Sequence, residues 1–138
     1  MQIYTIGYGG RKPDELLDLL KVKGVQIVID VRLRPDRSAM GVYAKAKDPS
    51  KVIERLMANA DIQYLSFVEL GNLFHELPDW HKRYQRLLDL TGDLLVERLG
   101  LVREPFCLMC AEKKPGDCHR RLIADLLATR GYQVEHIE

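Results

Sequence analysis

The fold of this chain is constrained most by a regular alternation of short β-favouring runs with longer stretches that carry apolar residues at helical spacing. The run from Val25 to Val31 is almost entirely β-branched or apolar, which is typical of a strand covered on both faces of a parallel sheet. The other predicted strands are 3–6, 62–67, 106–110 and 132–137. The predicted helices begin at Pro13, at Asp48–Pro49, at Asp79 and at Cys118. The alternation predicts an α/β fold: a single three-layer domain over residues 1–138, with a mainly parallel five-stranded sheet flanked by about four helices.

Ligands of such sheets bind where loops leave the carboxyl ends of the strands, and the loop after the first predicted strand has a suitable composition. Gly7 would let a ligand approach the backbone, while Tyr8 and Arg11 would offer a hydroxyl and a guanidinium to a phosphate or carboxylate. The loop matches neither the dinucleotide-binding fingerprint nor a phosphate-binding loop. A plain tight turn therefore remains an equal alternative.

The end of the second predicted strand carries a pair of opposite charges. Side chains alternate between the two faces of a strand, so Asp30 and Arg32 point to the same side of the sheet. The pair is either structural, because a buried carboxylate needs a partner, or functional, with Asp30 orienting Arg32 toward a substrate anion. The polar, basic segment 32–47 is longer than most connections in such folds and is predicted to act as a lid.

The densest group of reactive side chains lies between Cys110 and Arg121. Cys118 is predicted to lie in the first turn of the fourth helix, where the helix dipole and nearby arginines favour the thiolate. His119 shares a helical stripe with apolar residues and should point toward the sheet. The alternative is that the thiols are ordinary buried cysteines and His119 a hydrogen-bonded core residue. The candidate catalytic residues are Cys118, His119, Glu112, Cys110 and Asp30, and the candidate binding residues are Gly7, Tyr8, Arg11, Arg32 and Arg120.

No metal site is predicted. Cys107 and Cys110 have the C-x-x-C spacing, but their odd separation on a strand sends the two thiols to opposite faces. Cysteine-phosphatase chemistry is not expected either, because that chemistry needs an arginine six residues after the nucleophile. Gly116 and Ala124 occupy the corresponding positions after Cys110 and Cys118.

The charge balance and the cysteine content restrict the setting of the protein. The chain has 21 Lys and Arg against 20 Asp and Glu, so no global field draws it to nucleic acid or to a membrane, and any anion site must be local. No apolar run approaches the length of a membrane span, and the first residues lack a signal region. The odd number of cysteines is a poor disulfide framework. A reduced, cytoplasmic protein without membrane contact is expected.

Five blocks of residues along the chain carry a resemblance to a known family. The blocks are Thr5-Ile6-Gly7-Tyr8, Val28-Ile29-Asp30-Val31-Arg32, Leu70-Gly71, Met109-Cys110-Ala111-Glu112 and Cys118-His119-Arg120. Together they resemble a family of bacterial and archaeal α/β proteins catalogued as domain of unknown function 488. The resemblance implies the same fold and makes the polar members of the blocks the site residues, but it implies no reaction. Tyr8 stands where family members commonly carry His, and the segment after Gly71 replaces a longer, Gly-rich one, so these two places are expected to differ.

Three functions remain open, beside a purely structural role. The first is an enzyme or sensor for a small phosphorylated or nucleotide-like anion, with Glu112 and His119 as acid and base. The second is a nucleic-acid-binding module that uses the basic segment 32–47. The third is a thiol-based protein, in sulfur transfer or redox control, with Cys118 as nucleophile and Cys110 as its resolving partner. The predicted partner is a small anion or nucleotide, or a nucleic acid; the cofactor and the oligomeric state stay open.

Overall fold

The alternation becomes a parallel sheet with helices on both faces in a computed structural model, which describes residues 2–38, 41–44, 52–103 and 105–138. Within these residues the strands are β1 (Gln2–Gly7), β2 (Ile27–Asp30), β3 (Gln63–Ser66), β4 (Phe106–Cys110) and β5 (Gln133–Ile137). The helices of the same ranges are α1 (Pro13–Val22), α2 (Ile53–Asn59), α3 (Trp80–Leu95) and α4 (Arg120–Ala128). The predicted α/β fold is therefore confirmed.

The strand order, which the sequence left open, is β3-β2-β4-β1-β5, and every neighbouring pair is parallel. The connections from β1 to β2 and from β2 to β3 move along the strand order toward the β3 edge of the sheet. The connections from β3 to β4 and from β4 to β5 move toward the β5 edge. Because crossovers between parallel strands are right-handed, α1 and α2 are expected on one face of the sheet and α3 and α4 on the other. The core is divided accordingly into two clusters of buried residues. One contains Leu16, Leu20, Ile53 and Met57 of α1 and α2, and the other contains Tyr84, Leu88, Ile123 and Leu127 of α3 and α4.

The site is positioned where neighbouring strands send their following chains to opposite faces of the sheet, which happens on both sides of β4. β4 lies between β1 and β2, and the chain after β4 runs to one face while the chains after β1 and β2 run to the opposite face. Diverging connections of this kind leave a crevice at the carboxyl edge of the sheet, where ligands of α/β proteins bind. Gly7 pairs with Cys110, and Asp30 pairs with Met109, so the three strands end at nearly the same level. The predicted site residues consequently meet around the end of β4.

Two helix starts differ in detail from the prediction. α4 begins at Arg120, because 115–117 forms a separate turn of 3-10 helix and Cys118 leaves that turn with an extended backbone (φ −133°, ψ 144°). Asp79 precedes α3 as predicted, but its carboxylate makes no capping hydrogen bond and accepts one from Arg83 instead. The ends of helices are set by such local competition for hydrogen bonds, which hydrophobic periodicity does not encode.

Two predictions fall on residues outside the described ranges. The helix start at Asp48–Pro49 is one of them, and α2 is described from Ile53 onward. The predicted lid, 32–47, is described only in part, so a lid role for this segment stays a prediction. Among the described residues no helix is long and apolar enough to cross a membrane.

Candidate functional site

A cleft of about 360 Å³ opens in the crevice beside β4. Its volume lies within the range of small-molecule binding sites. The walls come from the chain after β2, the segment that leads into α3, and the connection between β4 and α4. Five of the candidate residues line the cleft: Arg32, Cys110, Glu112, Cys118 and His119.

Cys118 and His119 form a pair on the wall of this cleft. Sγ of Cys118 lies 3.6 Å from Nδ1 of His119, and the two residues are buried. On the other side of the ring, Nε2 lies 2.8 Å from the backbone oxygen of Val31. A carbonyl oxygen can only accept a hydrogen bond, so Nε2 carries a proton and Nδ1 faces the sulfur. Nδ1 is therefore the atom that exchanges a proton with the Cys118 thiol.

The start of α4 supports a negative charge on Cys118. The first backbone N–H of the helix, that of Arg120, donates to Sγ of Cys118 at 3.4 Å. Cys118 thus lies two residues before α4, ahead of the N-cap residue His119, and not in the first turn of the helix. Because the first amides of a helix carry partial positive charge, this contact favours the thiolate, as the sequence predicted on slightly different geometry.

The pKa values of the neighbouring groups shift in the directions that these contacts require. Burial opposes ionisation of Cys118, but its interactions with the neighbouring Cys110 and with His119 outweigh burial and hold the pKa of Cys118 well below its ordinary value. The neighbouring Cys118 sulfur, together with burial, raises the pKa of Cys110 well above its ordinary value. Burial opposes a charge on His119, yet the hydrogen bond with Cys118 and its charge raise the pKa of the imidazole. These shifts favour a Cys118 thiolate beside a protonated His119 and a neutral Cys110 thiol.

Cys110 links this pair to a carboxyl group. Its Sγ donates a hydrogen bond to Oε2 of Glu112 at 3.3 Å and lies 3.9 Å from Nδ1 of His119. Burial, and next the negative charge of Cys118, raise the pKa of Glu112 above its ordinary value. A carboxyl group with a raised pKa can transfer protons closer to neutral pH. Glu112 is accordingly a proton acceptor for Cys110 within the same wall of the cleft.

Three of these side chains also converge as metal ligands do. The ligand atoms of Cys110, Cys118 and His119 all lie within 4.8 Å of one another. Cys107 is not among them, because it packs in the core cluster of α1 and α2 while Cys110 packs in that of α3 and α4. The predicted opposite orientation of Cys107 and Cys110 is thus observed, whereas the convergence of Cys110, Cys118 and His119 was not predicted from the sequence.

Asp30 and Arg32 form a buried network at the base of the cleft. Nε of Arg32 donates to both carboxylate oxygens of Asp30, at 2.9 and 3.0 Å, and Nη2 donates to one of them at 2.7 Å. Arg32 also donates to the hydroxyl of Tyr8 at 3.0 Å and to the backbone oxygen of Tyr43 at 2.7 Å. The hydroxyl of Tyr64 donates to Asp30. Because most guanidinium donors are used inside the protein, the geometry favours the structural interpretation of the pair, and Tyr8 belongs to this network.

Three candidate binding residues pack the loops together and do not line the cleft. A Cβ atom on Gly7 would lie 1.6 Å from the backbone oxygen of Glu112, so the glycine allows the chain after β4 to approach β1. Nε of Arg11 donates to the backbone oxygen of Gly7 at 2.8 Å. Arg120 is fully buried and donates to the backbone oxygens of Glu112 at 2.6 Å and Lys113 at 3.1 Å. Ligand binding by these three residues stays a prediction, and the contacts described for them are structural.

Two other arginines are better placed to meet an anion. Arg34 and Arg37 line the cleft and are exposed. Nε of Arg34 lies 3.6 Å from the carboxylate of Asp36, which is a loose contact between exposed groups. Such contacts are weak in water, so Arg34 can exchange its partner for a ligand. Arg34 and Arg37 bring positive charge to one part of the cleft wall, which also carries the carboxyl groups of Glu76, Glu112 and Asp117.

A comparison with family models identifies the family to which the chain belongs. The model described as Domain of unknown function DUF488 matches residues 12–127, which is most of the chain. The chain belongs to the DUF488 family. No curated protein and no solved structure is significantly similar to it. The match confirms the resemblance stated for the middle and C-terminal blocks, while Thr5-Ile6-Gly7-Tyr8 lies ahead of the matched residues.

In this DUF488 protein, α3 and the segment before it also contribute side chains to the site, and no sequence motif indicated them. The ring of Tyr84 meets the ring of His119 edge-on at a centroid distance of 5.1 Å. Its hydroxyl donates to the backbone oxygen of Leu70 at 2.7 Å. Asn72 and Trp80 line the cleft beside them. The sheet face that α3 covers depends on the strand order, which the alternation of strands and helices does not determine.

Proposed function

We propose that this DUF488 protein is a thiol-disulfide exchange enzyme, in which Cys118 attacks a small anionic disulfide bound in the cleft. The observation that carries the proposal is the 3.6 Å contact between Cys118 Sγ and Nδ1 of His119, with the ring fixed through Nε2 by the backbone oxygen of Val31. A cysteine beside an oriented imidazole is the arrangement of an activated nucleophile. Its position at the carboxyl edge of a parallel sheet gives a substrate access to the sulfur.

The first step is nucleophilic substitution at sulfur. The Cys118 thiolate attacks one sulfur of the substrate R–S–S–R′ and forms a mixed disulfide with R, and R′–S⁻ leaves. The leaving thiolate takes the proton from Nδ1 of His119 and departs as R′–SH. His119 thus supplies the proton that keeps the leaving group from attacking in reverse.

The second step uses Cys110 as the resolving thiol. Cys110 transfers its proton to Glu112, whose Oε2 lies 3.3 Å from the sulfur, and then attacks Cys118 in the mixed disulfide. The products are a disulfide between Cys110 and Cys118 and R–S⁻, which takes the proton from Glu112. The substrate disulfide is reduced by two electrons and the pair of cysteines is oxidised by two. A reducing dithiol must then reduce the Cys110–Cys118 disulfide by exchange before the next turnover, and it is itself oxidised by two electrons.

The preference for an anion follows from Arg34 and Arg37 on the cleft wall. A guanidinium binds carboxylates and sulfonates through paired N–H donors, and two exposed arginines attract an anionic reagent over several ångströms. A neutral disulfide of similar size gains nothing from these groups. The reaction should therefore distinguish substrates by charge.

The proposal is tested with the dianionic disulfide dithiobis(nitrobenzoate) and the neutral disulfide dithiodipyridine on metal-free protein. Both release a coloured thiol, so rate and stoichiometry are read directly. About two equivalents of thiol should be released per chain, and Cys110→Ser should reduce this to about one because the mixed disulfide persists. His119→Gln should slow the reaction at least about tenfold, since one unit of pKa changes the thiolate fraction tenfold.

The buried thiol of Cys107 provides the matched control. Cys107→Ala should leave both the rate and the stoichiometry unchanged. Substitution of Arg34 and Arg37 by Gln should lower the rate with the anionic disulfide relative to the neutral one. Equal slow reaction of all cysteines, or a rate that His119→Gln does not change, would refute the proposed nucleophile.

A second candidate function is binding of a phosphorylated or nucleotide-like anion without thiol chemistry. It is favoured by the same two arginines and by the cleft volume of about 360 Å³. In a Cys118→Ser variant, inorganic phosphate or a nucleotide should then raise the melting temperature, and Arg37→Gln should abolish the increase. Absence of any increase with the wild-type chain would remove this candidate.

Nucleic-acid binding remains a prediction about the segment 32–47. In its described part, Arg34 faces Asp36, and the formal net charge of the whole chain is +1. Both observations weaken a polyanion interface. A mobility-shift experiment at low salt checks this prediction, and binding that declines steeply with salt would restore it.

A further inference from the structure

We propose that Cys110, Cys118 and His119 form a three-ligand site for a soft divalent ion, with Zn²⁺ as the expected occupant and a fourth position open to the cleft. This inference goes beyond the proposed thiol chemistry and does not depend on it. It is carried by the convergence of two sulfur atoms and one imidazole nitrogen within 4.8 Å. Among the described residues, no other group of His, Cys, Asp or Glu converges in this way.

The distances match a tetrahedral zinc site. With Zn–S near 2.3 Å and Zn–N near 2.0–2.1 Å, a tetrahedral angle places a sulfur about 3.6 Å from a nitrogen ligand. Nδ1 of His119 lies 3.6 Å from Sγ of Cys118 and 3.9 Å from Sγ of Cys110. The two sulfur–nitrogen distances are therefore within a few tenths of an ångström of those in a tetrahedral site, and the two sulfurs lie within 4.8 Å of each other. Thiolate and imidazole ligands also favour Zn²⁺ over Mg²⁺ and Ca²⁺, which bind oxygen ligands.

The hydrogen-bond partner that orients the His119 ring is already in place. Metal-binding histidines usually donate their other ring N–H to a carboxylate or a backbone oxygen, which fixes the tautomer and aims the free nitrogen at the ion. Nε2 of His119 is 2.8 Å from the backbone oxygen of Val31, and Nδ1 faces the two sulfurs. The Tyr84 ring packs edge-on against the imidazole at 5.1 Å and limits its rotation. The ligand set is therefore preorganised.

The charge of the filled site is balanced. Two thiolates and a neutral imidazole carry a charge of about −2, which a divalent ion cancels, so the buried centre has no net charge. Binding displaces the protons of Cys110 and of Nδ1 of His119. The fourth position is left to water or a substrate atom, because Glu112 contacts Cys110 but is not one of the three converging groups.

Cys118 cannot hold the metal ion and react as a free thiolate at the same time. Coordination would withdraw electron density from the Cys118 thiolate and place the ion beside its sulfur, so the bound thiolate is a weaker nucleophile than the free one. Loading with Zn²⁺ should therefore suppress the reaction of Cys118, and chelation should restore it. This relation gives the two proposals separate outcomes.

The test uses the full chain after treatment with a chelator and a reductant. Zn²⁺ is titrated against a chromophoric chelator, and Co²⁺ is added to a second sample as a spectroscopic probe. We expect one Zn²⁺ per chain, thiolate-to-cobalt charge-transfer absorption, and the intense visible bands of tetrahedral cobalt. Cys118→Ser and His119→Gln should each weaken Zn²⁺ binding by more than about 100-fold, since loss of a second-shell partner alone costs up to that factor.

Cys107→Ala is the matched control, because it removes a buried thiol from the same strand but from the opposite face. It should leave the affinity and the cobalt spectrum unchanged, and Glu112→Gln should change the affinity only a few-fold. Should a variant fail to fold, protection in the wild-type chain replaces it: Zn²⁺ should shield Cys110 and Cys118 from alkylation in mass spectrometry.

An octahedral cobalt spectrum without charge transfer, or the same loss of affinity in Cys107→Ala as in Cys118→Ser, would overturn the metal site. The reactivity of the metal-free protein toward dithiobis(nitrobenzoate) would be unaffected by that result. Conversely, tight Zn²⁺ binding by a protein whose metal-free form is unreactive would refute only the thiol-disulfide exchange.

Discussion

Replacement of Arg120 by Met separates the two interpretations of this arginine. The sequence indicated an anion-binding residue, whereas the structure shows a fully buried guanidinium that donates to Thr5 Oγ1 at 3.3 Å and to the backbone oxygens of Glu112 at 2.6 Å and Lys113 at 3.1 Å. Methionine keeps most of the buried volume but removes every donor. The variant therefore tests the hydrogen bonds and not a cavity.

The magnitude follows from the bonds that are lost. A hydrogen bond from a charged group contributes roughly 1.5–3 kcal/mol net, and the two shorter bonds to backbone oxygens should account for most of the effect. Removing the buried charge also removes its desolvation cost, which offsets part of the loss. We expect Arg120→Met to lower the free energy of unfolding by about 3 kcal/mol. With a urea m-value of roughly 2 kcal/mol/M, the midpoint should fall by about 1.5 M.

The assay is urea denaturation followed by circular dichroism, with Arg121→Met as the matched control. Arg121 follows Arg120 in the chain but is exposed, and its ion pair with Asp125 measures 4.0 Å, so its replacement should change stability by less than about 0.5 kcal/mol. A loss below about 1 kcal/mol for Arg120→Met would refute the structural role. Unchanged stability combined with loss of phosphate binding would favour the anion-binding role instead.

Three further predictions concern the site and its support. In metal-free protein, the low pKa of Cys118 should keep its alkylation rate nearly constant as the pH is lowered from the ordinary thiol value toward neutrality; a rate that falls tenfold per pH unit over that range would contradict the thiolate. Gly7→Ala should fold poorly or not at all, because its Cβ would lie 1.6 Å from the backbone oxygen of Glu112; a melting temperature within a few degrees of wild type would contradict this packing. Arg98 lowers the pKa of Glu69 through its hydrogen bond, so their small stabilisation should be full at neutral pH and disappear as the pH falls through the lowered pKa; Arg98→Gln should remove that part of the acid dependence, and an unchanged stability-pH curve would contradict it.

The sequence was informative wherever a single element determines the outcome. The run Val25 to Val31 predicted a buried parallel strand, and β2 lies there with every residue buried. Alternation along β4 was sufficient to place Cys107 and Cys110 on opposite faces of the sheet. The proximity of Cys118 and His119 also follows from their adjacency at the start of one helix.

The parts that could not be predicted depend on contacts between distant elements. The strand order was not available from the alternation, because several orders have the same sequence of strands and helices. Consequently the partners of Asp30 and Arg32, such as Tyr64 and Tyr43, could not be anticipated. The internal hydrogen bonds of the Arg120 guanidinium are a similar case, since they depend on how closely the chain after β4 approaches β1.

The central position of β4 has a consequence for how the site moves. Cys110 ends a strand that is hydrogen-bonded on both sides and fully buried, so its amide should exchange with solvent only when most of the sheet opens. The exposed Arg34 and Arg37 belong to an irregular segment and should exchange much faster. The reactive sulfurs would thus be held by a strand that opens rarely, while the arginines that recognise the substrate lie on a segment that changes conformation faster. In that arrangement, substitutions at the entrance can alter which molecules are accepted without changing the reactive geometry beneath them.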